Sequence, residues 1–359
     1  MTTRVSRTAT ASTNETKFTW SAWIKKETVG TGQTMIYNYL DGNNRGYFQF
    51  DSQDRLYYYD KEGGGLGADL TSTRKFRDPS CWYHICLIGD STDSTQGDRI
   101  KVYVNNERVA MSGTYPASSE NLGFKTETGT NYVSIGLNPD STSNPFEGLM
   151  SHIHYVDGIA YPATTFGQTD TTTGEWKIKT SSGISASNYG NNGYFILKDG
   201  NSVTDQSGNS HNFTVNTGTL TKTEDNPNNV FTTFNGAFNL SDIVLSEGTT
   251  KTFNSNSNWK YIPTTLGVSS GKYYCEYKIT INGGYIMLGV CDMQYATSQD
   301  KNSYTHVGAG TGGVGLYDDS GEKYLQGSNT AHAGTYATND IVSIALDMDN
   351  NKVYFSKNG

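Results

Sequence analysis

The residues best suited to chemistry in this chain are aromatic and planar polar groups of the kind that grip sugars. In RLYYYD, Tyr57 and Tyr59 alternate along one strand face beside Asp60. Rings of this kind stack on the apolar face of a pyranose, while carboxylate and amide groups bond its hydroxyls. The competing reading makes the same face half of a hydrophobic core. Met293-Gln294-Tyr295 and Tyr317-Asp318-Asp319 offer the same residue types in two later loops, so Tyr295, Tyr317 and Asp318 join the candidate ligand contacts. His152 and His154 lie two apart in an alternating strand, which places both rings on one face. They are candidate metal ligands if symmetry mates pool their imidazoles, and otherwise an ordinary hydrogen-bonded pair.

Other chemistries find no support in the spacing. Glycosidic cleavage needs two carboxylates flanking one bond, about 5 Å apart in retaining enzymes, and the sequence holds no E-x-D-x-E pattern. Its acids fall in turn-like places such as Asp41, Asp51, Asp157 and Asp319, where Asp bonds its own backbone. GxSxG is absent, and GAGTGG at 308–313 lacks the Lys-Ser/Thr that follows a phosphate loop. No catalytic activity is expected.

The elements that must position these residues are strands. Phe18, Trp20, Ala22 and Ile24 alternate with Thr19, Ser21, Trp23 and Lys25, the period of a half-buried strand. Similar runs at 46–50, 55–59, 81–88, 99–105, 131–137 and 148–156 are separated by Gly, Asn, Asp and Ser. The composition agrees: 25 Tyr, 14 Phe and 40 Gly among 359 residues supply rings and turns rather than helix formers. The expected fold is all-β, with two β-sandwich domains of jelly-roll type, at 1–160 and 240–359, joined by an irregular connector at 161–239 containing one short strand.

Lys plus Arg at 27 against Asp plus Glu at 35 gives a net charge of −8, which offers no footprint for nucleic acid or anionic lipid. No secretory signal and no apolar run long enough to span a bilayer is expected. Cys275 and Cys291 flank Asn282-Gly283-Gly284 symmetrically, so a hairpin there makes them cross-strand neighbours and a candidate disulfide, the alternative being buried free thiols. Asn358-Gly359 is a hairpin signal, from which at least one further strand is expected beyond it.

KFTWSAWIKK, CWYHICLI followed by DRIKVYVNNERV, and FEGLMSHIHYVDG resemble the strands of the LamG, or concanavalin A-like lectin/glucanase, superfamily. GKYYCEYKITI, IMLGVC and ALDMDNNKVYFSKNG are similar to the SPRY domain, a β-sandwich that binds proteins or ligands. The SRT start, Arg77-Asp78-Pro79-Ser80 before Cys81-Trp82-Tyr83-His84, Phe166-Gly167-Gln168-Thr169-Asp170, DQSGNSHNFT and DNPNNVFTTFN resemble bacteriophage virion proteins. The resemblance implies a non-enzymatic protein on the virion surface, on capsid or tail, assembled in the host cytoplasm. There it attaches to host glycans or, alternatively, decorates the particle, with a glycan depolymerase as a third possibility. Its implied partners are other virion proteins, a host surface glycan and copies of itself, a trimer by analogy with fibres, with no nucleic acid and no membrane insertion. No cofactor is required. Calcium is admitted, with Asp41-Gly42-Asn43-Asn44 and Asp347-Met348-Asp349-Asn350 as oxygen donors.

Overall fold

The computed structural model describes residues 3–122, 132–139, 143–198, 200, 202–238, 242–255, 259–292, 306–332 and 334–359. The chain divides into two compact units: Met1–Phe231 with Ser246–Lys251, and Thr232–Leu245 with Thr252–Gly359. As the periodicity predicts, both are built of β-strands.

In the first unit, among the described residues, an eight-stranded sheet faces a six-stranded one. The strand Lys17–Lys26 is central in the smaller sheet, paired with Gly148–Asp157 and with Tyr83–Asp90. Its alternation predicts one wet face, yet every residue after Lys17 is buried. The apolar face meets the larger sheet, with Trp20 edge-on to Phe48 at 5.7 Å. The other face is covered by chain that follows residue 158. Thr19 Oγ1 donates to the Ile159 carbonyl and accepts the Tyr161 amide, and Trp23 clusters with Trp82 and Ile178. Residues 161–231, expected as a connector, pack within this unit. Tyr194–Ile196 extends the smaller sheet beside Gly148–Asp157, and Thr214–Thr217 pairs with Arg4–Thr8 in the larger one.

Two consecutive lysines close the central strand. Neighbouring strand residues point to opposite faces, so each must find its own carboxylate. Lys25 Nζ lies 2.6 Å from Asp225 Oδ2, both side chains fully buried, and Asp225 Oδ1 accepts the Trp82 indole N–H at 3.1 Å. Lys26 Nζ lies 2.7 Å from Asp54 Oδ1 and 4.4 Å from the Phe50 ring centroid. Burial pushes the Lys26 ammonium below its ordinary value against the pull of Asp54. Burial opposes the Asp54 charge too, but Lys26, the Gly30 amide and Arg77 hold its carboxyl below the usual range.

The second unit is a smaller sandwich. Lys272–Lys278, Ile341–Asp347 and Lys352–Lys357 form one sheet; Met287–Cys291, Gly313–Tyr317, Glu322–Leu325 and Ser328–Ala331 form the other. Ile279, Leu316, Tyr336 and Val342 make the core between them, and the Tyr336 hydroxyl reaches the Ile286 and Leu316 carbonyls. The symmetric placement of Cys275 and Cys291 is overturned: Cys275 pairs with Ile344 in one sheet and Cys291 with Gly313 in the other. The Asn-Gly-Gly turn carries the chain from sheet to sheet instead of closing a hairpin, and all four cysteines are free.

Asp225→Ala leaves a buried ammonium without its counter-charge, so it should destabilise the first unit by about 3–5 kcal/mol, while Lys25→Met with Asp225→Leu should lose much less. Urea unfolding followed by tryptophan fluorescence checks this, because Trp20, Trp23, Trp82 and Trp176 all lie in that unit.

Candidate functional site

Along Arg55–Glu62 the buried residues are Leu56, Tyr58 and Asp60, while Tyr57 and Tyr59 are half-buried on the opposite face. Tyr58 therefore takes the core position, and Tyr57 and Tyr59 are free of that role. Register places other rings beside Tyr57 and Tyr59. Tyr37 lies opposite Tyr47, Tyr47 opposite Tyr59, and Tyr132 opposite Tyr39. These residues come from four adjacent strands of the larger sheet, Tyr132–Ile135, Gln33–Asp41, Asn44–Phe50 and Arg55–Glu62.

The rings touch in a ladder whose middle member, Tyr37, is buried. Tyr47 stacks on Tyr59 at 5.0 Å and on Tyr37 at 5.1 Å, Tyr57 meets Tyr47 edge-on at 5.7 Å, and Tyr39 joins Tyr37 at 6.1 Å and Tyr132 at 5.7 Å. Polar side chains share the face: Gln49 lies opposite Tyr57, Asp69 opposite Tyr59, and Arg45 opposite Tyr39. The Arg45 guanidinium sits 5.8 Å from the Tyr59 centroid and bonds its hydroxyl. Burial pushes the Tyr47 phenol far above its ordinary range, and its bond to Tyr57 adds to the effect. Tyr57, raised chiefly by burial, in turn bonds Asp69. The Tyr47 and Tyr57 phenols stay protonated, available to donate as well as accept.

Asp60 does not accompany Tyr57 and Tyr59. It is buried on the core side, where the Tyr58 hydroxyl lies 3.3 Å from Oδ2, because alternation turns it away from its neighbours. Asp318 is likewise buried, accepting the Ile286 amide at 2.9 Å, so it closes the fold rather than facing a ligand. Tyr317 lies on the outer face of its sheet, 5.8 Å from Trp259. Tyr295 lies outside the described residues.

The histidine pair also fails as a metal site. The strand slips register between Ser151 and His154, and His152 adopts a positive φ of 50°, so simple alternation does not hold. His154 is buried, stacked on Phe195 at 3.8 Å, with Nδ1 2.8 Å from the Tyr189 hydroxyl. His152 Nδ1 lies 2.8 Å from Ser151 Oγ. No group of three or more metal-ligating side chains occurs among the described residues. In the two calcium candidates, Asp41 Oδ1 accepts the Asn43 and Asn44 amides and Asp347 Oδ1 the Asn350 amide, closing turns.

Two arrangements resemble catalytic machinery. Ser21 Oγ lies 2.8 Å from His84 Nε2, but Nδ1 accepts the Trp176 indole N–H at 3.0 Å, so Nε2 carries the proton and donates to the serine. Burial pushes the His84 imidazole down to about 3, and it cannot serve as a base for Ser21. Glu27 is the second case: burial, with Glu147 beside it, pushes its carboxyl up to about 7.

Residues 2–160 match the family model of the concanavalin A-like lectin/glucanases superfamily, and residues 272–359 match that of the SPRY domain. The chain thus carries a concanavalin A-like domain and a SPRY domain. No curated protein matches it. Among solved structures it is similar to a putative carbohydrate binding protein from Bacteroides ovatus, with 16% identity over 62% of this chain and 61% of that one and a TM-score of 0.41. It is also similar to the sialidase CBM40 of Ruminococcus gnavus bound to sialyllactose, at 15% identity over 37% and 71%, with a TM-score of 0.28. A third similarity is to tailspike protein 2 of bacteriophage CBA120, at 11% identity over 43% and 24%, with a TM-score of 0.31.

The raised Glu27 value has a definite sign. The folded state holds this proton more tightly than an unfolded chain of ordinary value 4.5, so its contribution is complete below about 4.5 and is lost as pH rises toward 7. Glu27→Gln should leave the melting temperature at pH 4.5 nearly unchanged and raise it at pH 7.5, as differential scanning calorimetry of both proteins would show.

Proposed function

We propose that the first unit is a non-catalytic carbohydrate-recognition module and that the tyrosine ladder is its contact surface. The observation carrying this reading is the run of half-buried rings Tyr57, Tyr59 and Tyr47, joined through the buried Tyr37 to Tyr39 and Tyr132 and bordered by Arg45, Gln49 and Asp69. Ring faces shed water against the C–H face of a sugar, and the rim groups supply donors and acceptors for its hydroxyls. The lectin family match over the same residues supports the assignment. Tyr317 supplies a ring in the other unit.

The resemblance of the RDPS, FGQTD and DQSGNSHNFT segments to phage virion proteins extends the reading. In that setting the module sits on a particle surface and holds it to a glycan of the host. Immunogold labelling of particles tests the setting, and the absence of label would leave the recognition module without it.

A glycan array followed by calorimetry tests the module itself. Tyr59→Ala and Arg45→Ala should each weaken the best glycan at least about tenfold, or about 1.4 kcal/mol, with circular dichroism unchanged. Saturable binding that survives both substitutions would place the sugar elsewhere. Turnover of the bound glycan that Glu27→Gln abolishes would overturn the non-catalytic reading.

A further inference from the structure

The second unit gathers aromatic rings that the sugar surface does not use. Trp259 lies 6.2 Å from Tyr285, 5.3 Å from His306 and 5.8 Å from Tyr317, while Tyr324 lies 5.0 Å from His306 and 6.0 Å from Tyr317. Glycines make this convergence possible. Gly289 and Gly315 face each other across two strands on the outer face, and a Cβ on Gly315 would stand 2.7 Å from the Val307 carbonyl. The backbone at Val307 therefore lies directly on the sheet and delivers His306 to Tyr324. Tyr285, following Gly283-Gly284, is 67% exposed and holds a left-handed φ of 67°, a conformation costly for an aromatic residue and concentrated at functional sites.

Negative charge borders the rings. Asp319 is exposed and, after burial, is the largest influence raising the Tyr317 phenol. Glu322 Oε2 lies 3.4 Å from the Tyr324 hydroxyl. The neighbouring lysines are turned away or engaged: Lys323 pairs with Leu316 and shares the core-facing side of the sheet, and Lys260 is tied to Asp242 at 2.9 Å. Electron-rich ring faces beside carboxylates suit a cation that has no N–H to satisfy. We propose that the cluster of Trp259, Tyr285, Tyr317 and Tyr324 binds an organic ammonium group, its methylated nitrogen over a ring face and Asp319 and Glu322 supplying the attraction. His306 packs among these rings, against Trp259 and Tyr324.

The test uses the full chain labelled with 5-fluorotryptophan at pH 8. Trp259→Phe identifies the Trp259 resonance, which is then followed during titration with choline and with its uncharged isostere 3,3-dimethylbutan-1-ol. Choline should shift it saturably with a Kd on the order of 1 mM, and the isostere should bind at least about fivefold more weakly. Asp319→Asn should weaken choline about threefold, and Tyr285→Ala by more, with the other tryptophan resonances unmoved. Nα-acetyl-trimethyllysine amide distinguishes the source: tighter binding than choline indicates a side chain on a peptide, and weaker binding a small molecule. No saturable shift, or equal binding of the isostere, would overturn the proposal. A neutral sugar that moves the resonance at lower concentration than choline would also overturn it, by making the cluster a second sugar surface.

Discussion

Two adjacent lysines buried on opposite faces of one strand set the terms for the whole first unit. An ammonium group out of water costs several kcal/mol unless a carboxylate meets it at close range, and here two are needed at consecutive positions. Asp54, in the larger sheet's part of the chain, answers Lys26 from the core side, and Asp225, some two hundred residues further on, answers Lys25 from the other. The second pairing closes only when the chain after the sandwich has folded back over the smaller sheet. Trp82 and the Phe231 amide complete the Asp225 carboxylate, so the same residue fixes both the lysine and the returning chain.

That return explains what could and could not be read from the residues. The alternation of Phe18, Trp20, Ala22 and Ile24 identifies the strand and its core face correctly. Thr19, Ser21 and Lys25 read as solvated because their covering lies far along the chain, and their polar atoms are satisfied one by one in the folded state. His84 is the same case, a polar ring buried between Trp23 and Trp176 with both nitrogens bonded. Tyr57 and Tyr59 were legible as a pair because they share one strand. Tyr37, Tyr39, Tyr47 and Tyr132 were not, although each alternates with core residues, because their union depends on which strands become neighbours. Asp60 misled because alternation turns it to the core side of its strand, and Asp318 because an acid near a turn is as easily an internal hydrogen-bond acceptor as a ligand contact.

The tyrosine ladder suits recognition because it is built into a sheet rather than carried on loops. Neighbouring strands hold their side chains about 5 Å apart, and each phenol is braced by the next, so little side-chain freedom is left to lose when a ligand arrives. The aromatic cluster of the second unit relies on a different device. There, glycines let a loop lie flat on the sheet, and the rings come from separated segments of the chain. One chain thus presents two aromatic surfaces with different electrostatic borders, Arg45 beside one and Asp319 beside the other.

The four thiols carry a consequence of another kind. Cys81 is pushed up to about 11 by burial, and burial also raises Cys86, Cys275 and Cys291, so each stays in the unreactive protonated form at neutral pH. Cys86, Cys275 and Cys291 lie on three different strands and Cys81 just before one, and no disulfide joins them, so the fold depends on no covalent cross-link. It should be the same molecule in glutathione-rich and in aerated surroundings.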